Sequence, residues 1–191
     1  MVGVSRPLAK AEGHRRSVFF IGYTVGALLS ALFLGLVIFS LGSALEVLVP
    51  RSARLSAFAV TLALLGTLDL FGRTPQIVRQ TPQYLAGRMP PGWLGFVYGG
   101  DIGLHFTTQK TTSLLWGGLL GLFFIAPEFS VAALIMASVV NALVLASAAR
   151  SALPTTWAGW GRVSVLKVAR RLQQLSGFGL LAVAVGVSVH G

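Results

Sequence analysis

The chain of 191 residues carries 54% hydrophobic and only 10% charged side chains, too little polar surface to cover a water-exposed globule of that size. Its net charge of +10 comes from basic residues scattered through short loops, so no continuous patch for nucleic acid forms and anionic lipid headgroups are the expected partner. No cysteine is present, which excludes disulfides, thiolate metal sites and thiol-based electron transfer within the chain.

Residues 1–16 form a polar tail with Arg6, Lys10, Arg15 and Arg16. From Ser17 to Ser43 no charge occurs. That run is long enough to cross about 30 Å of hydrocarbon at about 1.5 Å per residue. It exceeds the core of a secretory signal and shows no convincing cleavage site. After the break at Pro50-Arg51, Leu55–Gly72 predicts a second span with Asp69 near its end. The stretch Arg73 to Trp93 holds four prolines and the echoed triplets Thr74-Pro75-Gln76 and Thr81-Pro82-Gln83. Proline at such density rules out an ordinary span and predicts a cytoplasmic connection lying against the membrane.

Leu94–Ala126 is apolar at both ends and polar in the middle; its 33 residues exceed one straight crossing. The expectation is a broken or re-entrant segment, with irregular backbone buried in protein or lining a wet cavity. The turn Pro127-Glu128 leads to a clean span, Phe129–Ala149, and then to a loop holding Trp157 and Trp160, aromatics that favour the headgroup level. Val163–Leu175 separates apolar residues from Lys167, Arg170, Arg171 and Gln174. That pattern predicts an in-plane amphipathic helix whose Lys167, Arg170 and Arg171 bind anionic lipid. Ser176–Val189 forms a short last span.

Charge decides the number of crossings. With one crossing in Leu94–Ala126, twelve basic residues fall on the cytoplasmic side against Arg51 and Arg54 outside, with Lys110 in the membrane region. With two crossings the sides hold seven each, so the positive-inside bias selects one. The expected fold class is all-α: a polytopic membrane helix bundle of about five spanning helices, with a broken or re-entrant segment. One bundle domain covers 17–191 behind a cytoplasmic tail, in the cytoplasmic membrane.

The polar cluster inside Leu94–Ala126 contains Asp101, His105, Thr107, Thr108, Gln109, Lys110 and the hydroxyl residues up to Ser113. On a helix Asp101 and His105 lie one turn apart and are placed to pair. Ionisable groups at membrane depth are costly and usually face an interior or an aqueous path. Asp101, His105, Thr108, Gln109 and Lys110 are therefore the candidate substrate or ion site, the opposing reading being a short loop whose charges reach water. Asn141, mid-span, joins that candidate set, although interhelical hydrogen bonding explains it more simply. Asp69, four residues before Arg73, is expected to form an ion pair closing the end of its helix. Gly22-x-x-x-Gly26, Gly99-x-x-x-Gly103 and Gly117-x-x-x-Gly121 are small-residue packing faces. No phosphate loop, hydrolase motif or metal-ligand set appears, and His14 and His190 lie at the ends, so neither an enzyme nor a cofactor is expected.

Phe96 to Thr111 resembles the glycine-rich helix of the CcdA and DsbD-type thiol-reductant conductors, within the wider LysE-like transporter superfamily. Tyr98-Gly99, Gly103 and Phe106-Thr107-Thr108-Gln109 stand where that family has its aromatic-glycine start, its further glycine and its Thr-Pro-Cys-x-x-Pro break. The resemblance covers about a third of the chain. The family's prolines are missing, its redox cysteine falls near Thr108 or Gln109, and it has six spans against five here. What it implies is a transporter scaffold with changed chemistry.

The function expected is a small carrier moving a solute or ion through the polar mid-membrane site. The alternatives are a non-catalytic scaffold or assembly subunit of a larger membrane complex, and the substrate-binding membrane subunit of a vitamin-type importer. Ala27-x-x-x-Ala31 is similar to the docking face of such an importer subunit. A homo-oligomer or a partner membrane subunit fits these readings.

Overall fold

The computed structural model describes residues 14–75, 88–104, 112–150 and 162–190, and every regular element among them is helical. In chain order these are α1 (His14–Leu48), α2 (Arg51–Leu70), α3 (Pro91–Gly103), α4 (Leu114–Phe124), a 3-10 turn (Pro127–Phe129), α5 (Ser130–Arg150) and α6 (Arg162–His190). Four helices, α1, α2, α5 and α6, are long and apolar enough to cross a membrane. Their outward surfaces suit lipid: Phe33 and Phe178 are 65% and 64% exposed, while the buried positions include Ala27, Ala31, Ser130, Ser138 and Ser176. Small residues inside and large apolar ones outside is the distribution that close helix packing in hydrocarbon favours. At 35 residues, α1 extends about 52 Å, more than a perpendicular crossing needs.

Leu94–Ala126 is two short helices, α3 and α4, of 13 and 11 residues. The interruption, 105–111, lies outside the described residues, as do 1–13, 76–87 and the Trp157-Trp160 loop. α3 begins at Pro91, earlier than the run of apolar residues indicates, because proline lacks the N–H that a first helical turn leaves unpaired anyway. The expected in-plane helix is not a separate element. Val163–Leu175 and Ser176–Val189 form one continuous α6: no proline separates them, and Ser176-Gly177, a pair that can mark a turn, lies buried inside the helix. Val168, Leu172 and Leu175 are exposed on it, as are Arg170 and Arg171.

The chain divides into two compact units. The first comprises 1–36, 77–109 and 131–153, and its core is Phe19, Tyr23, Leu94 and Tyr98, with Phe20, Ile102, Ala142 and Leu145 against it. Here two of the glycine faces pack on one another. A methyl group at Gly22 or Gly26 would overlap the carbonyl of Gly92 or Phe96, and one at Gly95, Gly99 or Gly103 would overlap that of Phe19, Tyr23 or Ala27. The contacts repeat every four residues along α1 and α3, so the two backbones touch directly. Ala27 and Ala31 are 2% and 0% exposed. They lie inside the fold and offer no docking face.

The second unit comprises 37–76, 110–130 and 154–191. Phe58, Leu62, Leu65, Leu180 and Ala184 form its core, and α2 with α6 is its most extensive pairing. Those helices cross at Gly66 and Gly177, where each glycine lies against the other's carbonyl oxygen. Arg54 donates to Glu46 Oε1 at 2.7 Å and to the Phe124 carbonyl at 2.9 Å. It thereby satisfies a carbonyl at the end of α4 that has no partner within the helix.

Candidate functional site

The crossing at Gly66 and Gly177 brings Asp69 of α2 beside Ser176 of α6. Gly72 then determines what else reaches it. With φ +69° it takes the left-handed conformation that ends α2: its N–H donates to the Asp69 carbonyl at 2.9 Å, and the Arg73 N–H to that of Leu68 at 2.8 Å. The chain turns back, Thr74 approaches the carboxylate and Arg73 is left exposed. The expected Asp69–Arg73 contact presumed that the helix runs through both residues. It ends between them, and Asp69 is held by other groups.

Four donors converge on the Asp69 carboxylate. Thr74 Oγ1 and Ser113 Oγ donate to Oδ1 at 2.6 and 2.7 Å; the Ser113 N–H and Ser176 Oγ donate to Oδ2 at 2.8 and 2.6 Å. Asp69 is 0% exposed, Ser113 0% and Ser176 3%. Gln173, one turn before Ser176, donates to Thr74 Oγ1 at 3.3 Å, and Trp116 Nε1 donates to the Pro75 carbonyl at 3.2 Å. A carboxylate offers about four acceptor positions, and all are filled by neutral groups.

Ser113 immediately precedes α4 and makes no cap with its own side chain. Its N–H and hydroxyl both go to Asp69, so the carboxylate of α2 caps the start of α4. A negative charge is favoured there by the unpaired N–H groups and the helix dipole. One acidic side chain thus ties α2, the return segment 73–75, α6 and Ser113 at the start of α4. The signals for this node were present but dispersed: one acidic residue in an apolar span, and small hydroxyl residues at 74, 113 and 176.

Of the residues expected to form the site, His105, Thr108, Gln109 and Lys110 lie outside the described residues, and with them any Asp101–His105 pair. Asp101 is half-buried in the last turn of α3, in the first unit. Asn141 belongs to the same unit and is exposed on α5. Among the described residues no three histidine or acidic side chains stand close enough to hold a metal ion.

Among the described residues the fold is all-helical, with four apolar helices of membrane-crossing length and a buried carboxylate at the start of α4. No family model, curated protein or solved structure matches this chain.

Proposed function

We propose that this protein is a small carrier of the cytoplasmic membrane that moves a small solute or ion past the polar interruption at 105–111. The Asp69 node acts as the latch that holds or frees the start of α4. One observation carries the reading: a fully buried carboxylate, donated to only by neutral groups, whose partners include the N–H of the first described helix start after the break. Desolvating a charge at the end of a membrane helix is costly. A carboxylate accepts all four donors, which an amide with its NH2 group cannot, and its hold on them changes with its charge. Asp101, His105 and Lys110 are the groups assigned to the path itself, and Lys167, Arg170 and Arg171 to anionic lipid at the cytoplasmic face.

The packing favours a carrier over a scaffold or importer subunit. The glycine faces of α1 and α3 that suit partner helices lie against each other, and the Ala27-x-x-x-Ala31 face is buried. The CcdA-like resemblance rests on residues at and beside the interruption, and a scaffold with altered chemistry fits this proposal.

Wild-type protein and Asp69→Asn, each purified and placed in vesicles, are incubated with a small-molecule cell extract, and the vesicle contents are read by mass spectrometry. Solutes retained by the wild type and lost in the variant support the carrier. Equal contents, or a companion chain purifying at fixed stoichiometry, overturn it. The orientation has its own test in a chain free of cysteine. Ser52→Cys is expected to react with an impermeant thiol reagent in intact cells while Thr155→Cys does not. The reverse pattern contradicts five crossings with a cytoplasmic N-terminal segment.

A further inference from the structure

We infer that the ion exchanged at Asp69 is a proton, and that a cation of sodium's size is excluded. This rests on the latch reading above and adds the chemistry of its switch. Three of the four donors to the carboxylate are hydroxyls, and a hydroxyl is both donor and acceptor, its hydrogen swinging about the C–O bond. A guanidinium or ammonium in the same place could only donate. The two carboxylate oxygens are not equivalent. Oδ2 faces the Ser113 N–H, a fixed donor, as well as Ser176. Oδ1 faces only the hydroxyls of Thr74 and Ser113.

A proton arriving from water therefore forms its O–H bond at Oδ1, and one of those two hydroxyls turns from donor to acceptor. Thr74 Oγ1 already accepts from Gln173 while it donates to Oδ1, which shows its hydroxyl acting in both roles. The negative charge is then gone and the remaining bonds lose their charge assistance. The N–H at the start of α4 then faces a neutral acid in place of an anion.

Spacing argues against a metal ion. An ion of calcium's size, which is also sodium's, keeps its ligand oxygens at about 2.4 Å from itself, so ligand oxygens on different residues stand on the order of 3.4 Å apart. The hydroxyl oxygens here lie 2.6–2.7 Å from the carboxylate oxygens, the separation of a shared hydrogen, so a cation of that size would have to push these oxygens apart. Among the residues whose side chains are described, the charged groups on the return segment, α4 and α6 are Arg73, Arg170 and Arg171, all exposed; the side chains of Arg162 and Lys167, earlier on α6, lie outside that description. α2 itself adds none near the node, and Lys110, before α4, lies outside the described residues.

The chain contains two aspartates, Asp69 and Asp101, so carboxyl-13C aspartate labelling of the full chain gives an infrared spectrum with two reporters. In phosphatidylglycerol–phosphatidylcholine vesicles the Asp101→Asn variant leaves Asp69 alone, and Asp69→Asn confirms the assignment if it folds. The inference expects the neutral-acid carbonyl band of Asp69 to appear on acidification of the folded protein, with the same midpoint in sodium and choline salts. A site exchanging one sodium for one proton would instead move its midpoint by about one pH unit per tenfold change in sodium. That shift, a sodium-dependent carboxylate band, or a carboxylate ionised at every pH at which the protein stays folded overturns the inference. If the midpoint follows sodium while solute retention still depends on Asp69, the proton is wrong and the carrier stands. If Asp69 titrates as expected and no solute is retained, the carrier alone falls.

Discussion

Replacing Asp69 with alanine is expected to lower stability by about 3–5 kcal/mol, in line with removing one side of a buried charged network. The change leaves the Ser113 N–H and three hydroxyls without their acceptor, in a place where the carboxylate and Ser113 are both 0% exposed. It also removes the group that caps α4. Asp69→Asn keeps the shape and one acceptor oxygen but points an NH2 group at donors, so a smaller loss of about 1–3 kcal/mol is expected. Unfolding in detergent, followed through tryptophan emission, provides the measurement; Trp116 sits next to the node through its bond to Pro75. Wild-type stability in the alanine variant would show that the node holds nothing together.

The second large effect is expected at the α1–α3 contact. A methyl group at Gly99 would lie inside the Tyr23 carbonyl, and one at Gly26 inside that of Phe96. The obstruction is backbone on backbone, so no side chain can swing aside and the helices must part. Gly99→Ala and Gly26→Ala are each expected to cost about 3 kcal/mol, the upper range for overpacked cores, or to prevent folding. Gly118, Gly179 and Gly186 have nothing within 4 Å of an added methyl. Alanine there is expected to stay within about 1 kcal/mol of wild type, with the helix preference for alanine favouring a gain. Equal losses in both sets would mean that glycine matters for reasons other than this close approach.

Long apolar runs and local spacing are legible in a sequence because lipid and helix geometry act on neighbours in the chain. Ser17–Ser43 reads as a helix of membrane-crossing length by its lack of charge alone, and the four-residue glycine spacing marks a packing face. Which face meets which is a different matter. Gly22 and Gly99 are far apart in the chain, and nothing local encodes that their helices touch. The continuity of α6 was hidden by its composition: basic and polar residues mix with apolar ones up to Leu175, and Ser176-Gly177 reads locally as a turn, whereas in the fold that pair lies inside the helix.

The candidate site shows the same division. A four-residue spacing made Arg73 the natural partner for Asp69, and the positive-φ turn at Gly72 removes it. Of the true partners Thr74 is near in the chain, but Ser113 and Ser176 stand 44 and 107 residues further on, small serines that look unremarkable in an apolar chain. The polar stretch Asp101 to Lys110 was visible because its charges are dense. In sequence it is followed closely by Ser113, the residue that gives Asp69 both its N–H and its hydroxyl.

The central claim is that the Asp69 node opens in the folded protein. Ser176→Cys places a nearly isosteric thiol at the buried α6 position beside the carboxylate, in a chain with no other cysteine. With the variant in vesicles, its rate of reaction with a small permeant maleimide is measured with and without Asp69→Asn. The account expects position 176 to react while the protein remains folded, and faster once the charge at 69 is removed. A thiol that stays unreactive until denaturant unfolds the protein, whatever stands at position 69, would make the node a static tie and contradict the account.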